Sequence, residues 1–254
     1  MIGARAQYGT IVVVGGGCYG TFYVRQLGRA ARAGVLGWDR IVVIDRNPDC
    51  GITQTELLVD SPGGFPEPHL VVSEWMAFFA DYLSRWASAS DSTGTDAIVP
   101  SPLMPHLMYD WLRDRARARW PGRAVDTRPL SEPPPVPWQR ASPDGTHYVS
   151  FAEWICPVNC IEPERCPHTR GPRTWTMPRA VSGFVDAERG RGRNIDGPLI
   201  FHCTHRAYGV GMIDTALVVA ADQAVSKYAA DGAAEILVGT VSHCHGALNI
   251  LAIS

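Results

Sequence analysis

The sequence predicts an α/β protein built on a doubly wound parallel sheet, with an irregular insert rich in cysteine and proline ahead of its last strands. Three observations predict it. Ile11–Val14 and Ile41–Ile44 are short β-branched runs without charge, the pattern of strands buried on both faces. Gly15, Gly17 and Gly20 follow the first run at G-x-G-x-x-G spacing, and Thr21–Arg32 can continue as a helix. The same strand–helix alternation resumes near the C-terminus, after a stretch that cannot belong to a sheet interior.

Composition bounds what such a chain does. Its 254 residues are 46% hydrophobic, enough for a globular core, and its net charge is −2. There is no global field to draw nucleic acid or an anionic membrane. The cations are almost all arginine, with Lys227 the one lysine. No apolar stretch reaches the roughly 18 residues that span a bilayer. The first apolar run is cut short by Gly15–Gly17, so no signal-peptide core is expected and the protein reads as cytoplasmic. Seven cysteines in that setting point to metal or thiol chemistry before disulfides. The partners expected are a small-molecule substrate or a redox partner, with no nucleic acid and no membrane.

The first half divides readily. In the glycine turn the first Gly makes the tight bend, the second lets backbone approach a pyrophosphate, and the third lets helix and strand pack closely. The phosphates would sit on the free N–H groups of the helix start. Cys18 and Tyr19 lie inside that loop. Asp45 closes the second run, where an acid accepts the hydroxyls of an adenosine ribose and disfavours a 2′-phosphate. NAD is therefore expected before NADP, although Arg46 beside it would suit the extra phosphate. Leu57–Val59 or Leu70–Val72 is the third strand. Glu74–Trp86 carries apolar residues at helical spacing, Asp96–Val99 is a short strand, and Pro105–Arg119 is a helix. Arg113, Arg115, Arg117 and Arg119 stand two apart, and helix residues two apart do not share a face, so the run reads as a solvated surface. His106 follows the fourth strand, at the edge where a nucleotide would bind.

Strand, glycine loop, helix, strand and acid together resemble the Rossmann superfamily. Over about residues 8–110 the chain is most similar to the NAD-sensing regulator domains of potassium channels. That resemblance implies a bound NAD or NADP, with Gly15, Gly17, Cys18, Tyr19, Gly20, Asp45 and Arg46 around it. Small proteins of this class often pair, which makes a homodimer an assembly the sequence allows. A weaker likeness is to ubiquitin-activating-type adenylating enzymes. Those carry N-x-x-R-Q soon after the acid, whereas here Asn47 is followed by Pro48-Asp49-Cys50-Gly51.

Pro129–Pro143 holds three consecutive prolines and reads as a stiff extended connector. Cys156, Cys160 and Cys166 then fall within eleven residues at C-x3-C-x5-C spacing, followed by His168. So little apolar content could order itself only with a cross-link or a metal. Three thiolates with His168 or a fourth cysteine would hold zinc, or an iron–sulfur cluster. Arg170–Arg193 reads as an irregular surface loop. Pro198–Phe201 is a strand ending in His202-Cys203-Thr204-His205, Gly209–Ala230 a helix, and Glu235–Val241 a strand ending in His243-Cys244-His245. In one parallel sheet both ends would reach the rim of the glycine loop. Cys244 is then the first choice as fourth metal ligand and Cys203 the second, with His106, His202 or His243 to move a proton.

The organisation expected is a nucleotide-binding half at 1–128, a connector and metal-binding insert at 129–197, and a strand–helix–strand segment at 198–254 completing the sheet. The activity expected is an NAD(P)-linked oxidoreductase with an iron–sulfur or zinc centre beside the nucleotide. A non-catalytic NAD or redox sensor with structural zinc is the first alternative, and an adenylating enzyme the second.

Overall fold

The computed structural model describes residues 6–54, 67–88, 95–152 and 160–254. The chain divides into two compact units: residues 1–104 with 204–219, and residues 105–203 with 220–254. It is a mixed α/β protein with two separate sheets.

The first unit holds β1 (Ala6–Val14), α1 (Cys18–Arg32), β2 (Leu36–Asp45), β3 (His69–Val72), α2 (Trp75–Ser88) and β4 (Ala97–Val99). Much later in the chain come β9 (Thr204–Ala207), β10 (Val210–Asp214) and the start of α5 (Thr215–Tyr228). Strand order is β3-β2-β1-β4-β10-β9. The first four strands run parallel, with Ile11 opposite both Ile41 and Ala97. The last two are antiparallel to their neighbours. Ile11, Val13, Leu27, Ile41 and Val43 form the centre of this core, each buried to within a percent. The β-branched runs of β1 and β2 are thus covered on both faces, as their lack of alternation requires.

The second unit holds α3 (Leu107–Arg119), β5 (Val125–Arg128), β6 (Trp138–Ala141), β7 (His147–Ser150), α4 (Met177–Gly190), β8 (Asp196–His202), β11 (Ala234–Val241) and β12 (His245–Ile253). Its sheet runs β6-β7-β12-β11-β8, with β5 also on β12. β11 is parallel to β8 and antiparallel to β12. Met177, Val181, Phe184 and Val185 of α4 pack on Leu237, Val241 and Leu248.

Four expectations change here. Of the strands in 198–254, β9 and β10 join the first sheet, but β8 and β11, the two expected to complete it, do not. β11 turns back as a tight hairpin into β12, whose apolar run Leu248–Ile253 supplies a partner that the first sheet would otherwise have to provide. Gly209–Ala230 is not one helix: Gly209, at φ +78°, starts a strand through Val210 and Met212, and the helix begins only at Thr215. Arg170–Arg193 is not all loop. Thr176 caps α4 by accepting from the Arg179 N–H at 3.2 Å, and Pro178 sits in its first turn, where a missing N–H costs nothing. Within Pro129–Pro143, Trp138–Ala141 is a strand, but on the sheet edge, where neighbouring prolines are tolerated. The third strand is His69–Val72, while Leu57–Val59 lies outside the described residues. Among the described residues no helix is long and apolar enough to cross a membrane.

Candidate dinucleotide site and the cysteine insert

Val14 ends β1, and Gly15 turns the chain at φ +87°, a backbone angle that suits glycine alone. The Gly15 N–H donates to the Ile44 carbonyl at 2.8 Å, and the Gly16 N–H donates to Asp45 Oδ2 at 2.7 Å. Asp45 Oδ1 accepts from the Asn47 N–H at 2.9 Å. The acid at the end of β2 therefore clamps the glycine turn as well as its own loop. That loop folds back over it: the Ile52 N–H donates to the Gly16 carbonyl at 3.0 Å. Cys50 is buried beside it, and burial, with Asp45 second, pushes its thiol up.

The four glycines of the turn and helix start separate into two kinds. A Cβ on Gly20 would stand 1.7 Å from the Gly15 carbonyl oxygen, and one on Gly16 would stand 2.4 Å from Cys50 Sγ. Gly15 is fixed by its backbone angle. Packing and conformation thus account for three of them. Gly17 differs: it is exposed, its φ is −75°, and a Cβ there would meet nothing within 4 Å. Gly17 also caps α1 without any side-chain hydrogen bond. Helix geometry leaves the first-turn N–H groups ahead of Thr21 without intrahelical acceptors. Cys18 is exposed at that end, Tyr19 packs partly on the core, and Arg46 is exposed.

Trp75 is a residue that the sequence reading placed only in an apolar helix stripe. It opens α2 just after β3, and its Cζ2 lies 3.7 Å from the Cβ position of Gly15. Its spacing within α2 carried no sign of this contact.

The three histidines expected to move a proton belong to the second unit. His106 belongs to the second unit, where it is 8% exposed. Its Nδ1 is 3.2 Å from Thr240 Oγ1, and its ring stacks on Tyr109 at 4.9 Å. Burial pushes its pKa down to about 4, so it is a neutral core residue and not an edge histidine. His202 ends β8 and His243 follows β11, both half-buried, in the sheet that does not carry the glycine turn. The two histidine–cysteine stretches do share an edge with each other. His202 is in register with Val241, and the Cys203 N–H donates to the Val241 carbonyl at 2.7 Å. His245 opens β12, with its Nδ1 2.8 Å from Ser150 Oγ.

The insert docks on this same edge. The Met177 N–H donates to the His243 carbonyl, and Glu162 Oε1 accepts from the His243 N–H at 3.1 Å. The Trp175 indole donates to Cys244 Sγ at 3.4 Å. Burial raises the Cys244 thiol. Burial also raises that of Cys166, but the Thr169 N–H and hydroxyl, the His168 N–H and Arg173 outweigh it and leave the thiol below its usual value. Cys160 is half-buried, and Cys156 lies outside the described residues. Among the described residues no group of three His, Cys, Asp or Glu side chains could hold a metal ion.

The arginines of α3 are internally compensated. Arg119 and Arg115 reach Asp222 at 2.8 and 3.5 Å, Arg113 reaches Asp110 at 3.1 Å, and Arg117 reaches Asp114 at 3.6 Å. A cavity of about 530 Å³ opens between Leu130, Phe184, Glu188, Arg193 and Ile250, and none of the expected site residues line it. A family model described as "Uncharacterized protein, C-terminal domain" matches residues 108–254. No curated protein and no solved structure matches the chain.

Proposed function

The chain belongs to the AF_1314_C family, whose matched part leaves the glycine turn outside it, and we propose that this turn binds a dinucleotide, NAD before NADP. On this reading the parallel strands β3-β2-β1-β4 are a Rossmann-type half-sheet. The single observation that carries it is Gly17. A glycine that neither packing nor backbone angle demands, at the open start of α1, is what close approach of a pyrophosphate requires. The residues present fit that group. The N–H groups before Thr21 can donate to phosphate oxygens, helped by the helix dipole. Asp45 holds the turn through one lone pair on each oxygen and keeps others for ribose hydroxyls.

The activity proposed is an NAD(P)-linked oxidoreductase. When bound, the nicotinamide supplies or takes a hydride. One observation favours a second reading, a non-catalytic NAD or redox sensor: His106, one of the three histidines expected to move a proton, is enclosed and neutral. For the insert we propose zinc or an iron–sulfur cluster held by its thiolates. The docking of Cys244 against the insert supports this, as do the N–H groups turned on the Cys166 sulfur.

The test is titration calorimetry of the full chain with NADH, NADPH and ATP, on wild type, G17A and G20A. Wild type is expected to bind NADH most tightly. G17A should keep its Tm and lose at least tenfold in affinity, while G20A, with its Cβ against a carbonyl, should lose about 3 kcal/mol of stability. Equal NADH affinity in G17A and wild type would defeat the dinucleotide reading. Turnover over a substrate panel separates enzyme from sensor, pyrophosphate exchange would point to adenylation, and metal analysis of anaerobically purified protein tests the insert.

A further inference from the structure

Trp75 sits where the proposed ligand would lie, and its polar atom has no hydrogen-bond partner among the described residues. β3 runs parallel to β2 and β1, so its C-terminal end shares the sheet edge with the glycine turn. The Ser73 N–H donates to the Asp45 carbonyl at 3.0 Å, which ties the β3 end to the acid that clamps the turn. Trp75 follows two residues later and places Cζ2 of its ring 3.7 Å from the Cβ position of Gly15. Cζ2 is bonded to the carbon that carries Nε1, so the ring meets the turn at an atom two bonds from its nitrogen. That nitrogen is buried, with no hydrogen-bond partner among the described residues. A buried donor left unpaired costs about 1–3 kcal/mol. A core indole is normally placed so that its N–H finds an acceptor.

We propose that Trp75 is a ligand-binding donor: its indole N–H takes an oxygen of the dinucleotide's pyrophosphate as acceptor beside Gly15. The inference rests on the dinucleotide reading above and adds to it a side chain outside the G-x-G-x-x-G turn. A pyrophosphate on the first turn of α1 brings anionic oxygens to this part of the loop, and a charge-assisted bond to one of them is stronger than a neutral one. The same contact fixes a specificity: ligands with a pyrophosphate gain from Trp75, and adenosine does not.

The experiment is binding of NADH, ADP and adenosine to full-length wild type, Trp75→Phe and Trp75→His, with Tm recorded for each. Phe keeps the ring and removes the donor, and His restores a ring N–H. Trp75→Phe is expected to bind NADH and ADP about tenfold more weakly, the weight of one hydrogen bond to a charged acceptor. Adenosine binding should not change, and Trp75→His should recover part of the loss. If Trp75→Phe fails to fold, the wild-type protein carries the test. One of its eight tryptophan indole N–H resonances must then move downfield with ADP and stay in place with adenosine. Wild type that binds NADH while Trp75→Phe binds it equally well overturns the role of Trp75 alone. Wild type that binds neither NADH nor ADP overturns the dinucleotide reading, and this inference with it.

Discussion

His106 shows how one buried side chain sets a pH response. Its surroundings favour the neutral ring: it stacks on Tyr109, meets Thr240 through Nδ1 and is enclosed in the second unit. Burial lowers its pKa from 6.5 to about 4. Between those values the unfolded chain binds a proton on His106 that the folded chain refuses. Stability therefore falls as pH falls from 6.5 to about 4, by up to about 3 kcal/mol, and levels off below. Above 6.5 both states are neutral there and the effect vanishes. Denaturant melts of wild type and His106→Asn from pH 7 to 4 check this. The variant's curve should be flatter in that window, and parallel curves would show that His106 does not set the slope. The sequence placed this histidine correctly at the start of a helix, but position along the chain says nothing about which side of that helix is sealed. The glycine turn was more legible. Gly15 and Gly20 carry their reasons in spacing: the turn out of the strand takes Gly15 to positive φ, and the helix packed at once behind it leaves no room for a Cβ on Gly20.

Elements were legible where local pattern alone decides them. The β-branched runs in β1 and β2, the stripe in α2 and the periodicity of α3 each name their structure without help from distant residues. α4 was obscured by composition. Gly183, Gly190 and Pro178 suggest loop, yet Met177, Val181, Phe184, Val185 and Glu188 fall on one helical face and are all buried. Thr176 at its head was the readable signal. Its hydroxyl satisfies the Arg179 N–H, so Thr176→Ala should cost about 1 kcal/mol, measured as a shift in the denaturation midpoint at constant m-value. An unchanged midpoint would mean that docking on Leu237 and Leu248 alone holds the helix start. Pairing direction was the part that local pattern could not give. β10 and β12 are apolar runs like those of β1 and β2, but they pair antiparallel, because short turns at Tyr208–Gly209 and Ser242–Cys244 fold each strand straight back on its neighbour.

At the scale of the whole molecule, two sheets with two cores replace the one sheet that would have gathered thiols, imidazoles and nucleotide on a single rim. The histidine–cysteine ends of β8 and β11 kept company with each other and with the insert because β8 and β11 are parallel neighbours. Which sheet they would join depended on β12, which follows β11 and pairs with it antiparallel. This division has a thermodynamic signature. A ligand that binds only the folded first unit adds RT ln(1 + [L]/Kd) to the opening energy of the amides it protects. At a hundred times Kd that is about 2.7 kcal/mol, a slowing of roughly a hundredfold. Hydrogen exchange with saturating NADH should therefore show this protection in β1, β2 and β4. Amides of β11, β12 and α4 should exchange as they do without ligand, since they open with a core that holds none of the residues of the proposed site. Protection rising equally in both sets would mean that the two cores unfold as one. Protection confined to β11 and β12 would place the ligand in the second unit and remove Gly17 from the site.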